Sequence, residues 1–362
     1  MTVTAPDLIE SAKLAVVKVG SALITDTDHF TMGGLAGDIK ERPWHAVLVS
    51  SGAVAVGNER VPTLDPKQTE DRHALSAIGQ ATLITMWQSA FDAYNKVAAQ
   101  VLLTPDVTDD RSRYLNARAA LRALFDNGVI PIVNENDAVT TRDFRYGDND
   151  RLAAKTAGLI GADLLIILSD VDGLYTSNPS KDPDAKHVSY VPYGEASRYF
   201  EAAEDTKSGG VGTGGMRSKL AAARIAIDWG VTTIIASGRR PHPLRDLVTG
   251  EARCTIFEAG DKISARRRWL SGVHERSGSM DIDAGALKAL KAEASLLACG
   301  VVQVAEPFLK GDVIDIRHDN QVVGFGLAAC DSASIGSAEG STIVLRRDDL
   351  ILTEHDHDRN DQ

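Results

Sequence analysis

Six short apolar runs, each closed by turn residues, punctuate the first two thirds of the chain: 14–19, 45–49, 96–103, 129–133, 164–168 and 232–236. They read as strands. Between the third and fourth, Tyr114, Ala117, Leu121, Leu124 and Phe125 share one face at helical spacing, and Asp126-Asn-Gly128 supplies a stop. A second helical pattern runs from about Met216 to Trp229, ends at Gly230 and leads into the strand at Thr232. Strands alternating with helices point to an α/β fold with a mostly parallel sheet covered by helices. In such sheets ligands sit at the carboxyl ends of the strands, so the loops there are where chemistry is to be sought.

Composition closes off other classes. The richest apolar run, Leu164-Leu-Ile-Ile-Leu168, is five residues long, far short of the ~18 a membrane span needs. The first residues carry no basic n-region, and Lys13 and Lys18 break the apolar run that follows, so the chain reads as cytoplasmic and not membrane-bound. Cys254, Cys299 and Cys330 match neither a disulfide framework nor a zinc pattern and read as buried reduced thiols. A formal net charge of −11 argues against wholesale binding to nucleic acid or anionic membrane.

The pattern changes near Ala265-Arg-Arg-Arg-Trp269. A helical pattern (Ala284 to Leu297) and compact strand candidates at 301–304, 313–316, 322–325 and 342–345 follow. They suggest a separate small β-rich domain. From Arg266 onward 11 Lys and Arg stand against 16 Asp and Glu, a balance of −5. The expected division is 1–262, a linker 263–277, a second domain 278–353 and a polar tail 354–362.

Five segments could carry chemistry. Lys18, near the end of a buried strand and followed by Gly20 and Ser21, reads first as a snorkelling edge lysine and second as a phosphate ligand. Ser50, Ser51 and Gly52 lie at a strand-to-helix turn, where serine either caps the helix or helps bind a carboxylate or phosphate. A serine nucleophile is a poorer reading, since no Gly-x-Ser-x-Gly elbow frames it. Asn134-Glu-Asn-Asp137 follows a strand, and Gly147-Asp-Asn-Asp150 precedes the helix beginning at Arg151. Asn149 or Asp150 is placed to cap that helix, yet these loops hold more amides and carboxylates than capping requires, and they suit the polar groups of an amino acid.

The fourth segment is the glycine-rich loop Ser208 to Lys219, which opens a helix. Its backbone N–H groups can approach phosphate oxygens, with a flexible linker as the alternative. Gly210, Gly212 and Gly215 match the spacing of a dinucleotide fingerprint. No strand precedes them, however, and the next strand ends at Ala236-Ser237 without an acidic residue to hold a ribose. No Gly-Lys-Ser/Thr of a Walker loop occurs either. The fifth is Ser169-Asp-Val-Asp-Gly-Leu-Tyr175, a turn in itself and, beside the others, a border for adenine and ribose.

Taken in order, Val17 to Ser21, Ser50 to Gly57, Ala77 to Gln80, Leu115 to Arg118, Val133 to Val139, Gly147 to Asp150, Ser169-Asp170, Gly173 to Tyr175 and Gly212 to Met216 with Lys219 resemble the amino acid kinase family, specifically its glutamate kinases. The C-terminal part is similar to PUA domains through its strand order, Leu287 to Leu297 and Gly311-Asp-Val-Ile314. The resemblance implies a three-layer αβα sandwich with a mostly parallel open sheet, followed by a small β-rich PUA barrel. It also implies ATP-dependent phosphorylation of the L-glutamate γ-carboxylate, the first step of proline synthesis, with L-proline as inhibitor and a homo-oligomer, dimer or tetramer.

By motif position, Lys18 and Lys219 would neutralise the transferring phosphoryl group, with the catalytic Asp150 orienting them. Ser51, Gly52, Asn134, Asp137, Asp148 and Asn149 would bind glutamate. Lys18, Gly20, Ser21, Ser169, Asp170, Tyr175, Thr213, Gly214, Gly215, Met216, Arg217, Ser218 and Lys219 would hold ATP, with Mg2+ bridging its phosphates and no metal ligand assigned to the chain. A carboxylate is already a nucleophile at neutral pH, so alignment and charge stabilisation suffice.

The chain departs from the family between Ile24 and Val47, where 22 residues stand in place of a full helix: either the helix is much shortened or one sheet face is less covered. Val304-Ala-Glu-Pro-Phe308 likewise replaces a more usual glycine-bearing turn. Rival readings are an acetylglutamate, aspartate or carbamate kinase, and an RNA-binding regulatory protein on a kinase scaffold. The two acidic loops and the extra domain favour free glutamate, and the −5 balance does not support RNA. The labile acyl phosphate product suggests functional coupling to a separate glutamyl phosphate reductase.

Overall fold

The computed structural model describes residues 3–26, 28–108, 111–139, 148–179, 182–204, 214–260, 276–336 and 339–353. Apart from residues 108–111, these fall into two compact units, one before residue 261 and one from residue 276 onward.

The first unit opens with α1 (Ala5–Ser11), β1 (Leu14–Val19), α2 (Ser21–Ile24), α3 (Met32–Lys40), β2 (His45–Ser50), α4 (Ala53–Arg60), α5 (Thr69–Asp92) and β3 (Ala98–Leu103). It continues through α6 (Arg111–Asp126), β4 (Ile130–Glu135), α7 (Asp148–Ile160), β5 (Leu164–Ser169), β6 (Leu174–Tyr175), β7 (His187–Val188) and β8 (Tyr190–Val191). It closes with α8 (Ala196–Glu204), α9 (Gly214–Asp228), β9 (Thr232–Ser237), α10 (Pro243–Val248) and β10 (Cys254–Phe257). Among the described residues the main sheet runs β3-β4-β2-β1-β5-β9-β10-β8. It is parallel from β3 to β9, and β10 then pairs antiparallel with β9.

β1 is central, flanked by β2 and β5, and its last five residues are all buried. That explains its apolar sequence: a strand covered by helices on both faces has no solvated side for polar residues. Ala15, Val17 and Val19 pack with Leu35, Ile39, Leu83, Trp87, Leu244 and Leu247 of α3, α5 and α10. Alternation turns Val16 and Lys18 to the opposite face, the side on which α7 lies.

The stretch between Ile24 and Val47 does hold a helix. It is α3, only nine residues long, with Leu35, Ala36 and Ile39 buried. Its glycines make up for its shortness through closeness. A Cβ on Gly34 would sit 1.9 Å from Pro241 O, and one on Gly37 would sit 2.5 Å from the Tyr94 hydroxyl. Asp38, 2% exposed, accepts from the N–H groups of Leu244 (3.0 Å) and Arg245 (3.2 Å), tying α3 to the start of α10.

The second unit contains β11 (Ser279–Ile282), α11 (Ala284–Lys291), β12 (Leu296–Leu297), β13 (Val301–Glu306), β14 (Val313–His318), β15 (Gln321–Ala328), α12 (Ser332–Ile335) and β16 (Ile343–Leu352). Its sheet runs β12-β16-β15-β14-β11-β13 around its own core of Met280, Ile282, Leu290, Ile314, Ile316, Val344 and Leu345. The helix expected from Ala284 to Leu297 stops at Lys291. Glu293 adopts φ 61°, and Leu296 and Leu297 turn into a strand paired with Leu345 and Ile343.

The three thiols are free, but they are not the buried groups the sequence suggests. Cys299 is exposed, and Cys254 and Cys330 are half-buried. No described helix is long and apolar enough to cross a membrane.

Candidate active site

A cavity of about 1170 Å³ opens where the carboxyl ends of β1, β2, β4 and β5 meet the first turns of α4, α7 and α9. Its floor is charged. Lys18, 6% exposed, places Nζ 2.5 Å from Asp150 Oδ1, and Lys219, 7% exposed, places Nζ 3.6 Å from Asp150 Oδ2. Lys18 is therefore not a snorkelling edge lysine, since β1 is central and its ammonium is held inside. Burial pushes the Lys18 ammonium below the usual lysine range, Asp150 pulls it back up, and Lys219 pushes it down again. For Asp150 burial alone would raise the carboxyl, but the two ammoniums and the Ser218 hydroxyl outweigh it and hold it below the ordinary value.

Neither Asn149 nor Asp150 caps a helix. α7 begins at Asp148, so both lie inside its first turn, and Asp150 is turned onto the lysines. Ser218, the fifth residue of α9, lies 2.6 Å from Asp150 Oδ2. Lys219 Nζ also donates to Gly215 O at 3.1 Å.

On the other side of the floor, β2 ends at Ser50 and Gly52 takes the cap position of α4 with φ 106°, a left-handed conformation that favours glycine. The serines do not cap α4. Ser50 Oγ accepts from Trp87 Nε1 at 2.9 Å and donates to Ser51 O at 3.1 Å, while Ser51 and Gly52 line the cavity. Asn134 Oδ1 accepts from Glu135 N–H (2.8 Å) and from Asn149 Nδ2 (3.1 Å). This leaves Asn134 Nδ2 and Asn149 Oδ1 buried without a partner among the described residues, one donor and one acceptor from two residues that line the cavity. Asp137 accepts from Ser76 Oγ at 2.7 Å.

Gly20, Ser21, Ser169, Asp170, Gly215, Ser218 and Lys219 line the cavity as well, with Ser169 Oγ donating to Asp170 at 2.8 Å. Tyr175, Met216 and Arg217 do not line it. The Tyr175 hydroxyl instead meets Asp172 at 3.1 Å and accepts from Arg253 at 3.0 Å. Gly214 opens α9, whereas Gly147, Gly210, Gly212, Thr213 and the Asp148 side chain lie outside the described residues. Among the described residues no three His, Cys, Asp or Glu side chains converge as a metal site.

The sequence reading missed the wall formed by Asn58, Lys67, Arg72 and His73 and the anchoring roles of Ser76 and Trp87. A signal was available for part of it: His73, Ser76 and Gln80 form a polar stripe at helical spacing on α5.

Residues 13–237 match the model of the amino acid kinase family and residues 278–347 that of the PUA domain. The chain is 40% identical to the glutamate 5-kinase of Gluconobacter oxydans, over 96% of this chain and 98% of that protein. It is 43% identical to the glutamate 5-kinase of Caulobacter vibrioides, over 98% of this chain and 95% of that protein. A solved carbamate kinase from Giardia lamblia aligns with 69% of this chain and all of its own, at a TM-score of 0.49 and 19% identity. With a family match across most of its first unit and relatives above 38% identity along nearly its whole length, the chain belongs to the amino acid kinase family and carries a PUA domain behind the kinase fold.

Proposed function

We propose that this chain transfers the γ-phosphoryl group of ATP to the γ-carboxylate of L-glutamate, as the name of its curated relatives describes. The observation that carries the reading is the cavity floor: two buried ammoniums share the Asp150 carboxylate, with Asp170 a further anion acting on Lys18, and both cations line the space where phosphoryl oxygens would lie. A γ-carboxylate oxygen attacks phosphorus, the bond to the β–γ bridging oxygen breaks, and ADP leaves with that electron pair. The acceptor is already ionised, so no general base is required. Lys18 and Lys219 stabilise the charge in flight, and Asp150 fixes their positions.

On the acceptor side, Asn134 Nδ2 suits a substrate carboxylate and Asn149 Oδ1 an ammonium, which supports an amino acid acceptor. Ser51, Gly52, Asp137 and Asp148 complete that side. Gly20, Ser21, Ser169, Asp170, Thr213, Gly214, Gly215 and Lys219 hold ATP. Asp150 is already engaged by Lys18, Lys219 and Ser218, so Mg2+ enters as part of the MgATP substrate rather than on a carboxylate cluster of the chain.

The same reading places the enzyme at the first step of proline biosynthesis, as a cytoplasmic homo-oligomer inhibited by proline and coupled to a reductase that consumes the acyl phosphate. The test is turnover of MgATP and L-glutamate with hydroxylamine to trap the acyl phosphate, with and without proline. Glutamate-dependent hydroxamate, suppressed by proline, is the expected result. Product with another acid and none with glutamate would keep the kinase and overturn the substrate.

A further inference from the structure

We infer that Ser218 is a positioning residue that keeps Lys219 from closing onto Asp150, leaving its ammonium available for the phosphoryl group. The inference rests on the kinase reading above and assigns Ser218 a role other than nucleotide ligand.

Asp150 Oδ1 is taken by Lys18 at 2.5 Å, and Oδ2 has two suitors, Ser218 Oγ at 2.6 Å and Lys219 Nζ at 3.6 Å. A buried ammonium beside a carboxylate with no competitor closes to about 2.7–2.9 Å. Lys219 stops well short of that, whereas Ser218 sits at the distance of a charge-assisted O–H···O bond, about 2.5–2.7 Å.

The proton count agrees. Ser218 Oγ also lies 3.0 Å from Gly215 O, but a hydroxyl has one proton and an ionised carboxylate can only accept, so the proton goes to Asp150. Gly215 O then draws its hydrogen bond from Lys219 at 3.1 Å. The ammonium is thereby hydrogen-bonded to a neutral carbonyl while it stays 3.6 Å from the carboxylate, and it lines the cavity with protons left for a ligand. Without the Ser218 hydroxyl, Oδ2 loses its donor, and Lys219 is the nearest group able to replace it.

The test compares Ser218→Thr with Ser218→Val, which have nearly the same shape and differ by the hydroxyl. Turnover is measured with whichever acid the wild-type enzyme phosphorylates, so that a wrong acceptor leaves the comparison intact. Ser218→Val is expected to lower kcat on the order of 10–100-fold, the effect of a catalytic group displaced by about 1 Å. KM values for both substrates should stay within about twofold, and Ser218→Thr should stay close to wild type. In a Lys219→Met background the Thr/Val difference should vanish, because a residue acting through Lys219 has nothing left to act on. Equal kcat for Thr and Val, a raised KM for ATP with kcat retained, or a difference that survives undiminished in Lys219→Met would overturn the assignment.

Discussion

Lys18 shows at the residue scale what a single side chain exchanges for function. It is a cation in a strand where every neighbour is apolar, beside a second cation and sharing its anion with it. Removing Lys18 leaves Asp150 still paired with Lys219 and bonded to Ser218, so Lys18→Met should hold or raise Tm. The same substitution, like Lys219→Ala, should lower kcat by about 10²–10³-fold, the loss expected for one preorganised charge donor. Thermal unfolding beside the hydroxamate assay checks both, and a large fall in Tm would show that the ion pair is structural.

The pH dependence has a definite sign. Because the folded Lys18 is depressed, the unfolded chain binds the extra proton between the folded value and about 10.4, so stability from this group rises with pH across that window. Methionine exchanges no proton. The wild type should therefore gain on Lys18→Met as the pH is raised toward 10, and a constant difference in Tm would refute the depression. Asp150 acts at the other end, since its contribution is present above the ordinary carboxylate value of about 4 and is lost as the pH falls through the lower folded value.

At the scale of elements, glycines decide how closely the helices that carry the site can cross. A Cβ on Gly79 of α5 would lie 1.8 Å from Ala53 O, and one on Gly57 of α4 would lie 1.9 Å from Leu75 O, both backbone atoms. A Cβ on Gly158 of α7 would instead lie 1.5 Å from the Trp229 ring. All three should resist alanine, at about 1–3 kcal/mol or more each, but they should differ in rescue. Trp229→Leu should recover part of the Tm lost in Gly158→Ala, because there the obstacle is a side chain. Gly79→Ala has no such partner and should also raise KM for the acid substrate, since Ser51 leads into α4 at the cavity and Ser76 of α5 holds the cavity-lining Asp137. Equal KM in Gly79→Ala and wild type would separate this crossing from the site. Gly57 and Gly79 lie in segments that carry the family resemblance, but the sequence does not show what any of the three touches, because that lies on another element.

For the whole molecule, the question is whether two cores mean two folding units. The second core, Met280 to Leu350, is built from its own strands, α11, Ile335 of α12 and the loop residue Phe308, and contains none of the first unit's residues. A fragment spanning 276–353 should therefore unfold cooperatively by itself, as followed by circular dichroism and calorimetry. A broad transition without cooperativity would show that this core depends on the kinase fold.

Much of this protein is written locally. β1 and β5 lie within a residue of their apolar runs, α6 spans the predicted stripe, and Lys18, Asp150 and Lys219 stand out as charges beside buried strands or glycine turns. Such features arise from periodicity, turn chemistry and the cost of burying polar groups, all of which operate over a few neighbours. Tertiary structure decided the rest: that β1 is central, that Asp150 joins two lysines distant in sequence, that α5 supplies a wall of the cavity, and that Ser218 stands between Lys219 and Asp150. Each of these depends on which elements become neighbours. That follows from packing a whole chain around a core, and no local window of sequence contains it.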